Sequence, residues 1–186
     1  KLRDHGDYIL RGIRIDIAGV HIGRKDILCQ LLDISETSSF VLISGARGCG
    51  KSSIVQEFAQ FVGTHHPVFC LRTEDLNESH LGKVISTMGL HSSLSDLSAG
   101  FSLMPKKFLL IESLEKLLEL QDRGAFIDLL TFLKNNPGWT VIASCRDYAY
   151  QQIASHYLQP YGIQWLPLTI PEFSSAEVDY LCNQIG

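Results

Sequence analysis

Gly45-Ala46-Arg47-Gly48-Cys49-Gly50-Lys51-Ser52-Ser53 follows directly on the apolar run Phe40–Ser44. Every fixed position of G-x-x-x-x-G-K-[ST] is filled, and the residues after Lys51 read as an amphipathic helix, with Ile54, Val55, Phe58, Phe61 and Val62 on one face. A phosphate needs several backbone N–H groups turned inward, and glycine permits the dihedral angles that aim them. The helix that follows adds free N–H groups and the positive end of its dipole. Lys51 then reaches β- and γ-phosphates, and the Ser52 hydroxyl ligates Mg²⁺. Gly45, Gly48, Cys49, Gly50, Lys51, Ser52 and Ser53 are therefore the expected contacts of a nucleotide, ATP or ADP. Cys49 reads as a small side chain tolerated in the loop, at a place where a helix N-terminus can also depress a thiol pKa.

A magnesium-nucleotide site also needs a carboxylate at the end of a neighbouring strand. "KFLLIESLEKLLEL" supplies Glu112 at the C-terminal end of an apolar run. Glu115 follows one turn on if a helix begins at Ser113, which brings it within reach of a water at the γ-phosphate. The competing reading leaves Glu112 as a strand end and Glu115 with Glu119 on a solvated helix face.

These groups need a frame. Five β-rich runs, "FVLIS" (Phe40–Ser44), "PVFCL" (Pro67–Leu71), "KFLLI" (Lys107–Ile111), "WTVIAS" (Trp139–Ser144) and "IQWLPL" (Ile163–Leu168), alternate with helical patterns. Near-continuous apolar strands separated by helices predict an α/β fold, a parallel sheet covered on both sides. Residues 1–24 read as an irregular lead-in, followed by a helix from about Lys25 to Asp33. From Pro171 a separate helical element is expected, capped by Ser174 or Ser175 with Glu177 in its first turn. Phe101, Phe108, Phe126, Phe132 and Trp139 read as core, Lys106 and Lys107 as solvated edge charges, and His65-His66 as surface.

The chain has 186 residues, 45% hydrophobic, with a formal net charge of −4. No overall basic field draws it to nucleic acid or anionic lipid. Five cysteines without a C-x-x-C pair point to a reducing compartment, the cytoplasm, rather than to a disulfide framework. No apolar run has membrane-spanning length. An opening at Lys1 and a helical pattern still running at Gly186 suggest a piece of a longer protein.

The order of segments resembles a known family. "HIGRKDILCQLL", the glycine-rich loop, an apolar strand ending in an acid, "WTVIASCRDYAY" and "LPLTIPEFSSAEVDYL" are similar to the NTPase core of the STAND class, in the AAA+-like branch of P-loop proteins. The likeness is strongest to prokaryotic multidomain defence and signalling proteins and spans roughly Gly19 to Ile185. It implies a five-stranded P-loop sheet of order 5-1-4-3-2 over residues 25–170. Ile22, Gly23 and Arg24 would lie against the nucleotide base. Glu112 would take the place of an aspartate beside Mg²⁺. Glu115 would orient the attacking water, and Arg146, in "SCRD", would sense the γ-phosphate. Glu at 112 and Lys116, where many members carry an acid, depart from the pattern and argue for slow hydrolysis. The implied function is an ATP-dependent switch that controls homo-oligomeric assembly of a larger chain. The alternatives are an AAA+ DNA-replication or helicase-loader ATPase, a small-molecule kinase, and a nucleotide-binding scaffold without hydrolysis. No N-K-x-D motif supports a GTPase.

Overall fold

The computed structural model describes residues 1–90 and 94–185. In chain order the elements are α1 (Leu2–Arg11), β1 (Asp16–Ile17), β2 (Val20–His21), α2 (Lys25–Thr37), β3 (Phe40–Ser44), α3 (Lys51–Val62), β4 (Val68–Arg72), α4 (Leu81–Thr87), α5 (Leu94–Gly100), β5 (Lys107–Glu112), α6 (Gly124–Asn135), β6 (Trp139–Ser144), α7 (Asp147–Ile153), β7 (Leu166–Thr169) and α8 (Ser175–Ile185). The five core strands are parallel, in the order β4-β5-β6-β3-β7. Counted among themselves in chain order and read from the β7 edge, they run 5-1-4-3-2.

The apolar runs are continuous because both faces of the sheet are covered. Successive residues serve opposite cores. Phe40, Leu42, Leu109, Ile111, Val141 and Ala143 pack with α4, α6 and α7 on one side. Val41, Ile43, Phe108, Leu110 and Ile142 pack with α2 and α3 on the other. A side chain of period two thus builds two cores from one strand.

Several boundaries differ from the sequence reading. Residues 1–24 are not irregular: α1 packs against β4 through the buried Ile9, and β1 and β2 form an antiparallel hairpin. α2 runs on to Thr37, with Ser35 buried beneath it. The last core strand begins at Leu166, where pairing to Val41 starts. Lys106 and Lys107 are not solvated edge charges. Lys107 is buried because its ammonium donates to the Phe101 and Met104 carbonyls, where the chain folds back before β5. Lys106 pairs with Glu36 at 2.7 Å. Phe108, Phe126 and Trp139 are buried, and Phe101 and Phe132 pack partly buried against the same core. Among the described residues no helix is long and apolar enough to cross a membrane.

Candidate functional site

β3 ends at Ser44, and the chain turns through the glycine-rich loop into α3. Gly48 and Gly50 have φ of 82° and 94°, the left-handed region that a side chain resists. At Gly45 the constraint is space: a Cβ would stand 2.6 Å from Cys49 Sγ and 2.7 Å from the Ile170 carbonyl. The loop can therefore curl tightly only with glycine at these positions. Lys51 Nζ lies back over it, donating to the Gly45 and Ala46 carbonyls at 2.8 and 2.7 Å. Cys49 is buried inside the curl, its sulfur 3.8 Å from the same ammonium, whereas Cys29 and Cys182 are exposed.

Parallel strands bring their C-terminal ends to one edge. Glu112, the last residue of β5, accepts a 2.7 Å hydrogen bond from the Ser52 hydroxyl. Thr73 fixes its backbone by donating to the Glu112 carbonyl at 2.9 Å. Glu115 sits in a short 3₁₀ turn, Leu114–Leu118, and is buried rather than on a solvated face. Ser113, with φ 60°, turns the chain to place it there. Its carboxylate forms an ion pair with Arg146 Nε at 3.2 Å, across from the end of β6. Lys116, the neighbour, pairs with Glu74.

One oxygen of Glu112 and one of Glu115 are buried without a hydrogen-bond partner. Such oxygens call for water or a cation. Burial, then the nearby Glu115 charge, pushes the Glu112 carboxyl above its ordinary range, while the Ser52 and Ser144 hydroxyls and the Lys51 charge pull the other way. Among the described residues no three His, Cys, Asp or Glu side chains cluster to hold a metal by themselves. A divalent ion at this edge would take Ser52 and Glu112 together with phosphate oxygens, and the orphaned oxygens fit that need. When bound, Mg²⁺ would neutralise charge on the phosphates.

Beside the loop lies a cavity of about 270 Å³, lined on one side by Gly48, Gly50, Lys51, Ser52 and Ser53. The other walls are Ile15, Ile17, Val20 and Ile22 around the β1–β2 hairpin, with Phe173, Glu57 and Arg14. The hairpin and Phe173 were missed in the sequence. "IRIDIAGVHIG" does carry the signal: apolar residues alternate around Ala18-Gly19, whose φ values of 52° and 84° make a two-residue hairpin turn.

Ile22 faces this cavity, but Gly23 and Arg24 do not line it. Arg24 is buried and spends all its donors on protein. Nε and Nη2 form a fork on the Glu177 carboxylate, at 3.0 and 3.2 Å. Nη1 donates to the carbonyls of Cys49 and Pro171, at 3.1 and 2.7 Å, and Nη2 also donates to that of Glu172, at 3.1 Å. A guanidinium has five N–H groups, and five acceptors are filled. All of Arg24's donors thus go to the loop and to the entry of α8, and its side chain does not line the cavity. Glu177 was read only as a first-turn residue. It closes a capping box, accepting from Ser174 N at 2.7 Å while the Ser174 hydroxyl accepts from Glu177 N at 3.3 Å.

No protein-family profile matches the chain, and no curated protein is similar to it in sequence. Solved structures do match. The ORC2 protein of Aeropyrum pernix, in ADPNP-ADP complexes, aligns with TM-score 0.58 at 15% identity, over 87% of this chain and 49% of that one. The Walker-type ATPase paby2304 of Pyrococcus abyssi aligns with TM-score 0.59 at 15% identity, over 94% and 61%. Hsp104 of S. cerevisiae, in a casein complex, aligns with TM-score 0.60 at 16% identity, over 87% and 29%. The chain has a P-loop NTPase fold. It spans about half the length of the ORC2 protein and three fifths of the Pyrococcus ATPase.

The P-loop and α8 are tied through one ion pair, and that pair has a pH signature. The Arg24 hydrogen bond, helped by Ser174, holds the Glu177 carboxyl at about 2, below the ordinary 4.5. A depressed carboxyl stabilises the fold above its unfolded pKa and loses that contribution as pH falls through the folded one. Acid unfolding is thus expected to steepen between pH 4.5 and 2. Glu177→Gln should flatten part of that slope in a circular-dichroism acid titration and leave stability near pH 7 lower than in the parent.

Proposed function

We propose that this domain binds ATP or ADP with Mg²⁺ and acts as a slowly hydrolysing switch within a larger STAND-type signalling or defence protein. The observation that carries this reading is the 2.7 Å hydrogen bond from Ser52 to Glu112, with an unpartnered buried carboxylate oxygen beside it. It joins the loop serine after β3 to the acid at the end of β5, across the intervening β6, the pair a magnesium-nucleotide site requires.

The division of labour follows from position. Loop N–H groups and Lys51 hold the β- and γ-phosphates, and Ser52 with Glu112 holds Mg²⁺. The apolar hairpin and Ile22 receive the base. Glu115 orients a water, and Arg146 reads the γ-phosphate. Slow turnover is supported by the ion pair that ties Glu115 to Arg146. An acid engaged by a guanidinium must be released, or share it, before it can polarise a water. The difference in contacts between triphosphate and diphosphate is what a switch converts into assembly of the larger chain.

The test is direct. Titration calorimetry should show ADP and ATP binding that weakens when Mg²⁺ is chelated. Phosphate release should be at or below about 10⁻² s⁻¹, the range of slow P-loop switches. Fast turnover by the isolated domain would overturn the switch reading.

Likeness to ORC2 and to a DNA replication initiation factor favours a second reading, an AAA+ ATPase of the replication-initiator type. Salt-dependent DNA binding by this chain would select it. A net charge of −4 weighs against that outcome.

A further inference from the structure

We propose that Phe173, in the segment that leads into α8, is a working wall of the nucleotide pocket, held there by Arg24, so that docking of α8 and occupancy of the pocket form one coupled equilibrium. The proposal rests on the nucleotide reading above. Arg24 and Glu177 are positioning residues in it.

Three observations carry the inference. Arg24 bonds both sides of a seam: the Cys49 carbonyl inside the phosphate loop, and the Pro171 and Glu172 carbonyls with the Glu177 carboxylate at the entry to α8. Cys49 lies between Gly48 and Gly50, which both line the cavity. A ligand that sets the backbone of those glycines therefore also sets the acceptor that Arg24 reads.

The second observation is Phe173. One face of its ring lies 4.2 Å from the Arg24 guanidinium carbon. The ring also lines the cavity, and its tip would stand 3.8 Å from a Cβ at Gly50. Arg24 thus supports the aromatic wall from behind, and the wall stands only while the segment before α8 is docked.

The third is how little else holds α8. Leu181 is its one buried residue among those described, while Val178, Tyr180 and Ile185 are 44%, 50% and 51% exposed. An element with so small a buried face opens at low cost, and its docking is governed by its few specific ties. A planar fork that fills five acceptors is such a tie, and a lysine cannot reproduce it.

Linkage requires the effect to run both ways. If α8 docking completes the pocket, ADP must in turn protect α8. In hydrogen–deuterium exchange of the full 186-residue chain, ADP with Mg²⁺ should slow the amides of residues 178–184. Glu177→Ala should remove that protection and weaken ADP binding on the order of ten-fold, within the 5- to 150-fold range typical of coupled sites. Glu177→Gln, which keeps a neutral acceptor, should fall between the two. Arg24→Lys should behave like Glu177→Ala. Should the buried Arg24 variant fail to fold, the Glu177 variants carry the test, because that carboxylate sits at the surface end of the pair. A merely structural role would lower the melting temperature without making α8 exchange respond to ADP. Parent protein that binds ADP while α8 exchange stays unchanged overturns the coupling, and so does parental ADP affinity in Glu177→Ala. Parent protein that binds no nucleotide overturns the nucleotide reading, and this inference with it.

Discussion

Lys51→Ala is expected to lower the affinity for ADP and ATP by roughly 30- to 1000-fold, while the chain keeps its fold. The size follows from the loss of a charge-assisted contact to phosphate, about 2–4 kcal/mol in a site of this kind. Lys51 is well placed to provide it. Its ammonium is already held over the loop by the Gly45 and Ala46 carbonyls, so little ordering is left to do when a phosphate arrives. Of the two acceptors Gly45 is buried and Ala46 half-buried, so the mutation should lower the melting temperature modestly without unfolding the chain. Calorimetry with ADP and ATP checks the affinity, and a thermal scan checks the fold. Equal affinity in mutant and parent would remove the phosphate role of this loop. Lys51→Arg separates charge from shape. It keeps the cation but replaces a compact point charge by a planar fork, so it should restore only part of the binding.

The second large effect concerns the pair at the end of β5 and β6. Glu115→Gln should cut any residual turnover about 100-fold or more, the usual scale of a positioned acid or base, with nucleotide affinity within a few-fold of the parent. The amide preserves shape and loses charge. Arg146→Ala should act differently, weakening the preference for ATP over ADP, the result expected if its guanidinium forks onto γ-phosphate oxygens. The structure adds a constraint. The two side chains touch at 3.2 Å, and one Glu115 oxygen is buried without a partner. They should therefore be coupled, and a double mutant should cost less than the sum of the two single ones. Single-turnover hydrolysis with ATP and ADP affinities in the four proteins of that cycle checks this. Arg146→Lys should rescue only partly. If Glu115→Gln hydrolyses at the parental rate, Glu115 only anchors the arginine. If both arginine variants keep the parental ATP/ADP ratio, Arg146 is structural.

Local rules reached a long way into this protein. The glycine spacing, the lysine and the serines are legible without a structure because a phosphate loop is made by consecutive residues, and only glycine takes the required φ at 48 and 50. Strands β3, β5 and β6 are legible because burial on both faces leaves no polar alternation, whereas the edge strand β7 buries only Leu168. The Ser174–Glu177 cap is legible because its two hydrogen bonds close within one turn. Glu112 could be placed at a strand end by the same local reasoning.

What local rules could not supply is the set of contacts that cross the chain. Arg24 meets Glu177 over 153 residues of sequence, and nothing in "HIGR" or "SSAE" says that they touch. Family likeness sent Arg24 toward the base, whereas packing consumed all its donors on the loop and on α8. Lys107 looked exposed because a lysine at a strand start usually is; only the turn at residues 101–104 brings it two carbonyls. Glu115 looked free because the sequence shows a helix face and not the arginine across from it. The hairpin over the cavity lies between: its alternation is written in "IRIDIAGVHIG", but its use as a wall depends on where α3 and Phe173 come to rest. The physical reason is common to the three charged residues. Backbone conformation answers to neighbours in sequence, while the partners of a buried charge are chosen by whatever the folded sheet brings within hydrogen-bond reach.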